Sequence, residues 1–382
     1  MDARSPEAAA EAGYAGSSIV MGFAGVRPPQ VAVVIGCYNQ GAYVEAAIRS
    51  VAAQSYEHFE CVVLDDNSTD GSADRIHEVL EALGDPRFRA IPRRDNRGQM
   101  ATMLEGLDAT SGPFVAFLDA DDLWHPAYLE RHVLAHMSMR GLAAVSCSNL
   151  AVIDAEGTQL SGARPNFNSS DPRMLRHQTQ SPAAVPEDAA VTEEVLDVET
   201  RVFVAPGTSS RWIWSATSAM MFRRAALEIL RPARPERLRI CADRYFVVGA
   251  HLLGGTVRIE RSLGCYRVHD SNGFARNKLL GSGSALGRLA REIVVASDEE
   301  FVRSLCDNAE LLRATLSPGR VAQLLIKHLG PKGAFALAAS NAGARLILSE
   351  IPPPRSKTRL QKIKRRLKRW LRPRSQTKKL PR

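Results

Sequence analysis

Two aspartates at alternate positions, Asp119 and Asp121, follow directly on an apolar run in PFVAFLDADD (113–122). Carboxylates at that spacing on a strand end do not both point into an apolar core. Held on a loop, they suit a hard divalent cation, Mg2+ or Mn2+, which takes few carboxylates together with phosphate oxygens. A solvated turn whose acids cap the next helix is the other reading of the same text. A second acidic pair, Asp65-Asp66, stops the run ECVVL. A carboxylate there can accept a hydrogen bond from a nucleobase imide or a ribose hydroxyl. Capping the helix that starts at Ser72 is the alternative, and it suits Asp70 better than Asp66. Tyr38-Asn39, after VAVVIG (31–36), offers an aromatic edge and an amide to the same base, or simply a packed loop aromatic. Arg93, Arg94 and Asn96 stand after a third apolar run, where they reach phosphate or base, or form a solvated face.

Positions matter more than residue types here, and the elements set the positions. VAVVIG, ECVVLDD (60–66), RFRAI (87–91) and PFVAF read as short buried strands. Helical spacing over 42–53, 72–83 and 99–109 separates them, with Asn67-Ser68-Thr69-Asp70-Gly71 as loop and capping chemistry. Strand alternating with helix predicts an α/β fold, a mostly parallel sheet flanked by helices. Ligands of such sheets bind beyond the carboxyl ends of the strands. Asp65, Asp66, Asp119, Asp121 and Asp122 all fall there. After 122 the alternation loosens: a helix over 126–139, strand character over 143–153, and a polar, Pro-bearing insert over 161–211 that reads as loop or lid. RWIWSATSAMMF leads into a helix at 223–230, TVRIE (256–260) and GCYRVH (264–269) read as strands, and 285–350 turns helical. Period-2 spacing puts Trp212 and Trp214 on one strand face, as core packing.

Composition narrows the function classes. An apolar content of 45% is that of a globular chain. No run approaches the ~18 apolar residues that span a bilayer, and residues 1–29 read as a flexible leader without the pattern of a secretory signal. Six scattered cysteines without a CxxC pair suggest buried thiols in a reducing compartment, with neither a zinc site nor a disulfide framework. The net charge of +9 is concentrated: residues 352–382 hold 14 Lys or Arg and no acid, and the rest of the chain has 36 basic against 41 acidic residues. That is not the basic footprint of a nucleic-acid-binding domain.

Five pieces in order, YN, the QSY after the first helix, DDNSTDGS, N-x-G and LDADDxWxP, together resemble the inverting family 2 glycosyltransferases, whose catalytic domain has the GT-A (Rossmann-like) fold. The clear match covers 31–122, with weaker correspondence to about 270. The resemblance implies a catalytic domain over 30–270; the helical pattern and the charge distribution beyond it add a helical extension over 271–350 and the basic tail over 351–382. It implies that Asp66 binds the base of a nucleotide sugar, a UDP-sugar in the usual case, with Tyr38 alongside and Asp65 and Asn96 in the same donor site. Asp119 and Asp121 match the DxD pair that holds ribose and the metal on the diphosphate, so the expected cofactor is Mn2+ or Mg2+. CADRYF (241–246) is similar to the short acidic motif that supplies the general base, with Asp243 at the matching position. Family members often carry Glu-Asp there, and this chain has Ala242-Asp243. YRVHDSN (266–272) resembles the closing segment in which His269 approaches the diphosphate or metal; a surface polar role for His269 stays open.

The implied reaction is transfer of a sugar to an acceptor hydroxyl with inversion, in surface polysaccharide or glycolipid synthesis. Two rivals are a nucleotidyltransferase, which wants a Gly-rich phosphate loop, and a non-catalytic protein with a degenerate nucleotide-sugar site. A dehydrogenase would need GxGxxG after the first strand, and that is absent. In RLQKIKRRLKRWLRP (359–373), Leu360, Ile363, Leu367, Trp370 and Leu371 share a helical face opposite Lys and Arg, the pattern of a membrane-surface anchor. A disordered basic tail and a nucleic-acid arm are the other readings; the expectation is a membrane partner and no nucleic acid. The enzyme would then sit in the cytoplasm, on the inner face of the membrane, beside saccharide or lipid-linked acceptors.

Overall fold

The computed structural model describes residues 27–138, 143–162, 192–197, 200–205, 212–270, 272, 287–349 and 351. The leader before residue 27, the middle of the 161–211 insert and the basic tail from 352 lie outside the described residues. The chain forms two units, one comprising the residues up to Glu228 with Leu238–Ala290, the other Ile229–Arg237 with those from Arg291 onward.

In the first unit, β1 (Val31–Cys37) lies between β2 (Phe59–Asp65) and β4 (Phe114–Asp119), with β3 (Phe88–Pro92) beyond β2, all parallel. β1 is buried along nearly its whole length, as an apolar, β-branched run must be when helices cover both faces. The covering helices are α1 (Val44–Ala52), α2 (Ser72–Leu83) and α3 (Gln99–Asp108). The parallel register sets Cys37 opposite Asp65 and Gly36 opposite Asp119. Three strand ends carrying the candidate chemistry are thereby brought level at one edge.

Beyond β4 the sheet changes character. β5 (Leu123–Trp124) and α4 (Tyr128–Ser138) lead to β6 (Val145–Ile153), with β7 (Gln159–Ser161) folded back on it. β8 (Thr192–Asp197) and β9 (Thr200–Ala205) form an antiparallel pair inside the insert that the sequence suggests to be loop or lid. β10 (Met220–Arg223) slots antiparallel between β4 and β6, followed by α5 (Arg224–Ile229) and α6 (Ala242–Gly254). TVRIE and GCYRVH belong to one strand, β11 (Thr256–Arg267), whose register against β6 slips between Arg258, Ser262 and Cys265. The sheet order is β3-β2-β1-β4-β10-β6-β11-β9-β8. It is parallel across the half that bears the acids and mixed beyond it. Trp214 is core, fully buried, with its indole N–H donated to Thr256 Oγ1 at 3.0 Å.

The second unit is helical: α7 (Gly287–Asp307), α8 (Ala309–Thr315), α9 (Pro318–Ala338) and α10 (Ala342–Ile347). Gly330, at φ 68°, breaks α9 just before Pro331. Its core gathers Phe301, Leu305, Leu312, Leu325 and Ile347. Fully buried Glu300 receives the Ala233 N–H at 3.1 Å and Arg234 Nε at 2.6 Å, and Glu299 receives Arg237 Nη1 at 2.6 Å. Segment 229–237 therefore belongs to this unit through charge pairs made at the middle of α7. Among the described residues no helix is long and apolar enough to cross a membrane.

Candidate active site

The carboxyl edge of the parallel strands opens into a cavity of about 370 Å³. Tyr38, Asp66, Asn96 and Asp119 line it together, with Gly36, Thr102, Met103, Phe117, Arg239 and Cys241 among the other walls. Tyr38 is half exposed at its rim. The loop that presents it is laced to the loop after β2: Asn39, in the left-handed region at φ 54°, receives the Thr69 N–H on Oδ1 at 2.8 Å and donates its own N–H to Ser68 Oγ at 2.9 Å. Asp70 completes the lacing by accepting the Gly41 N–H at 3.0 Å and the Ser72 N–H at 3.0 Å, from the position before Gly71, which occupies the helix N-cap.

Asp65 and Asp66 part company. Asp65 Oδ2 accepts the Ser68 N–H at 3.1 Å, closing the turn, and its buried Oδ1 has no partner among the described residues. Asp65 is not among the residues that line the cavity. Asp66 does line it. Its Oδ1 accepts from Arg93 Nη1 at 2.8 Å and from the Arg97 N–H at 2.9 Å, and its Oδ2 accepts the Gly98 N–H at 2.7 Å. Arg93 is itself buried, held by Glu105 and the Ala101 carbonyl. Arg93 takes neither role the sequence suggests, phosphate or base contact or a solvated face; it is the counter-ion that lets a carboxylate sit at 4% exposure beside an apolar wall.

The loop after β3 is strapped to the segment before α6. Gln99 N–H donates to the Arg239 carbonyl at 2.7 Å, and Gln99 Oε1 accepts the Ala242 N–H at 2.9 Å. Arg239 Nη2 donates to Asn96 Oδ1 at 2.6 Å and to the Asn96 carbonyl at 3.0 Å. Gly98 lies so close beneath Arg239 that a Cβ there would come within 2.7 Å of the Arg239 carbonyl oxygen. Asp243 stands in the first turn of α6, two residues beyond the cavity wall at Cys241, which adopts φ 56°. Burial, then the negative charge of Asp243, push the Cys241 thiol up to about 12, so it is no nucleophile near neutral pH. Burial likewise raises the Cys37 thiol to about 12.

Beyond β4 the three acids take separate tasks. Asp119 ends the strand, its N–H donated to Ser218 Oγ at 3.1 Å, and it lines the cavity. Asp121 Oδ2 meets His269 Nε2 at 3.0 Å and the Asn272 amide at 3.3 Å. The His269 ring packs against Tyr43, with centroids 4.8 Å apart. Arg267 donates to the Asp121 and Ala155 carbonyls, each at 2.9 Å, and its guanidinium lies 5.0 Å from the Tyr43 ring. Asp122 is structural: Oδ2 accepts from Ser218 Oγ at 2.6 Å and Oδ1 from the Arg267 N–H at 2.9 Å. Burial first, then the charges of Asp121 and Asp119, push its carboxyl well above the usual range. No three His, Cys, Asp or Glu side chains among the described residues form a metal cage of their own. The donor set present, the Asp121 carboxylate touching the His269 imidazole beside Asp119, fits a cation that takes its remaining ligands from phosphate and water.

Against known proteins, residues 32–185 match the family model described as Glycosyl transferase family 2. An uncharacterized glycosyltransferase of Nostoc sp. is 30% identical over 246 residues, 64% of this chain and 66% of the relative. A putative teichuronic acid biosynthesis glycosyltransferase of Bacillus subtilis is 32% identical over 132 residues, 35% and 51% of the two chains. An Escherichia coli UDP-Glc:alpha-D-GlcNAc-diphosphoundecaprenol beta-1,3-glucosyltransferase is 33% identical over 103 residues, 27% and 39%. The matched region thus spans about half to two thirds of the length of the first two curated relatives.

Proposed function

We propose that this chain, which belongs to glycosyltransferase family 2, moves a sugar from a nucleoside diphosphate, UDP in the first instance, to an acceptor hydroxyl with inversion. One observation carries the reading: a single cavity at the strand ends is lined by Tyr38, Asp66, Asn96 and Asp119, and its wall continues into the helix that bears Asp243. In this reading the base lies against Tyr38 with its polar edge on Asp66 and Asn96, and the ribose reaches Asp119. Asp65 acts one step removed, by closing the turn that presents Asp66. Asp119, Asp121 and His269 would contribute to holding a Mn2+ or Mg2+ ion whose other ligands are phosphate and water oxygens, and that ion would supply Lewis-acid stabilisation of the leaving diphosphate.

Asp243 takes the proton of the acceptor hydroxyl as the oxygen attacks the anomeric carbon. The bond from that carbon to the diphosphate oxygen breaks in the same displacement, and its electron pair leaves with the nucleotide. A single displacement inverts the centre and needs no enzyme nucleophile, in keeping with two cavity cysteines held as neutral thiols.

The catalytic domain is taken as 30–270, with 271–350 as helical extension and 351–382 as an anchor on the inner membrane surface. The lipid-diphosphate acceptor in the name of the E. coli relative favours an acceptor of that kind, in polysaccharide or glycolipid synthesis. Calorimetric titration of UDP with and without Mn2+, on the native chain and on Asp121→Ala, tests the donor site. Binding strengthened by the metal and weakened in the variant supports it; absence of UDP binding under both conditions overturns it.

A further inference from the structure

We infer that Arg239 is a specificity-determining residue: by fixing the amide of Asn96 it makes the cavity select a base that presents an N–H beside a carbonyl, the edge of uracil and thymine rather than cytosine. The inference rests on the nucleotide reading above and deepens it. A guanidinium has five donors and no acceptor. Because Arg239 Nη2 approaches the Asn96 side chain at 2.6 Å, the amide must turn its oxygen to Arg239. The second contact from the same nitrogen, to the Asn96 carbonyl at 3.0 Å, keeps the guanidinium there. Asn96 Nδ2 has no partner among the described residues, so a donor is what this side chain offers to the cavity that it lines.

The neighbouring group has the opposite character. A carboxylate offers about four acceptor positions. Asp66 Oδ1 uses two on Arg93 and the Arg97 N–H, and Oδ2 uses one on the Gly98 N–H. One acceptor position on Oδ2 is left. Acceptor on Asp66 beside donor on Asn96 complements an imide edge, in which a ring N–H stands next to C=O. Cytosine inverts both, with a ring nitrogen lone pair next to an amino group. It would set lone pair against lone pair at Asp66 and donor against donor at Asn96. Without Arg239 the Asn96 amide can rotate and offer its oxygen to the cytosine amino group, restoring one of the two contacts.

The test is titration of UDP and CDP into the full chain, native and with Arg239→Met or Arg239→Lys. Lysine is also donor-only, so it keeps the lock, whereas Met removes it. The native chain is expected to prefer UDP by at least about tenfold, a ratio set by mismatched polar contacts. Arg239→Met should bring that ratio down to about threefold or less, through weaker UDP and stronger CDP, and Arg239→Lys should retain most of it. A loss of packing alone would weaken both nucleotides together and leave the ratio standing. UDP binding with the native ratio kept in Arg239→Met overturns the lock and leaves the donor site intact. Failure of the native chain to bind either nucleotide overturns both.

Discussion

Gly98→Ala joins fold and site in one atom. Gly98 has φ 84° and ψ 173°, a region that residues with a side chain almost never occupy. Holding alanine there costs about 1–3 kcal/mol in backbone strain. The added methyl would also stand 2.7 Å from the Arg239 carbonyl oxygen, 2.9 Å from its Cβ and 3.0 Å from its Cα. Two of those three atoms are backbone, so no rotamer change relieves the contact, and overpacking of this kind adds about 1–3 kcal/mol. A total near 3 kcal/mol corresponds to a fall in Tm of about 6–12 °C for a domain of this size. The strap can relieve the clash by lifting residues 239–241, and that breaks the Gln99 N–H to Arg239 bond and moves the Asp66 donor at the Gly98 N–H. Thermal unfolding followed by circular dichroism, paired with UDP titration, reads both outcomes. A Tm within about 1 °C of native together with UDP affinity within about twofold would refute the argument, because neither strain nor strap would then have been real.

Asp243→Asn should leave UDP affinity unchanged and lower transfer, read as UDP release from the donor, by about 10²–10⁴-fold; near-native turnover would remove Asp243 from the mechanism. Tyr38→Ala should scarcely move Tm, since the ring is half exposed, and should weaken UDP by about tenfold through lost stacking, as calorimetry would show. Stability should fall in acid through two buried histidines. Burial holds His136 down to about 3 and His132 well below its ordinary value. Unfolded, each takes a proton near pH 6.5, so stability is undiminished above that pH and declines as pH falls through the window towards about 3. His136 alone should cost about 2 kcal/mol at pH 5. Urea unfolding at a series of pH values reads this slope, which His136→Gln should flatten; a profile already level in the native chain would refute it.

The half of the fold that carries the acids was legible because its strands are continuous apolar runs that end in charge, so pattern and position coincide. β10 was not: Met220–Arg223 is short and enters antiparallel, a pairing set by β4 and β6 rather than by its own text. In the site, the residue types of Asp66 and Asp119 announced themselves at strand ends. The groups that orient them and Asn96 did not, because Arg93, Gly98, Ser218 and Arg239 reach their partners across 27 to 143 residues. Asp65 and Asp66, adjacent and alike, were separable only by the direction of the backbone that presents them. Asp122 read as one more acid of a cluster, yet the chain around it makes it a buried tie.

The charge pairs at Glu299 and Glu300 also set a schedule. Arg234 and Arg237 leave the ribosome some sixty residues ahead of the carboxylates that hold them, about 3–12 s at ordinary elongation rates. In that interval α6 and β11 are made, and every strand of the sheet has emerged. The first unit can therefore close around its cavity while the segment from 229 to 237 is still waiting. Its arginines stay in water until α7 is synthesised, and only then does the helical unit acquire the piece of chain that was made for it first.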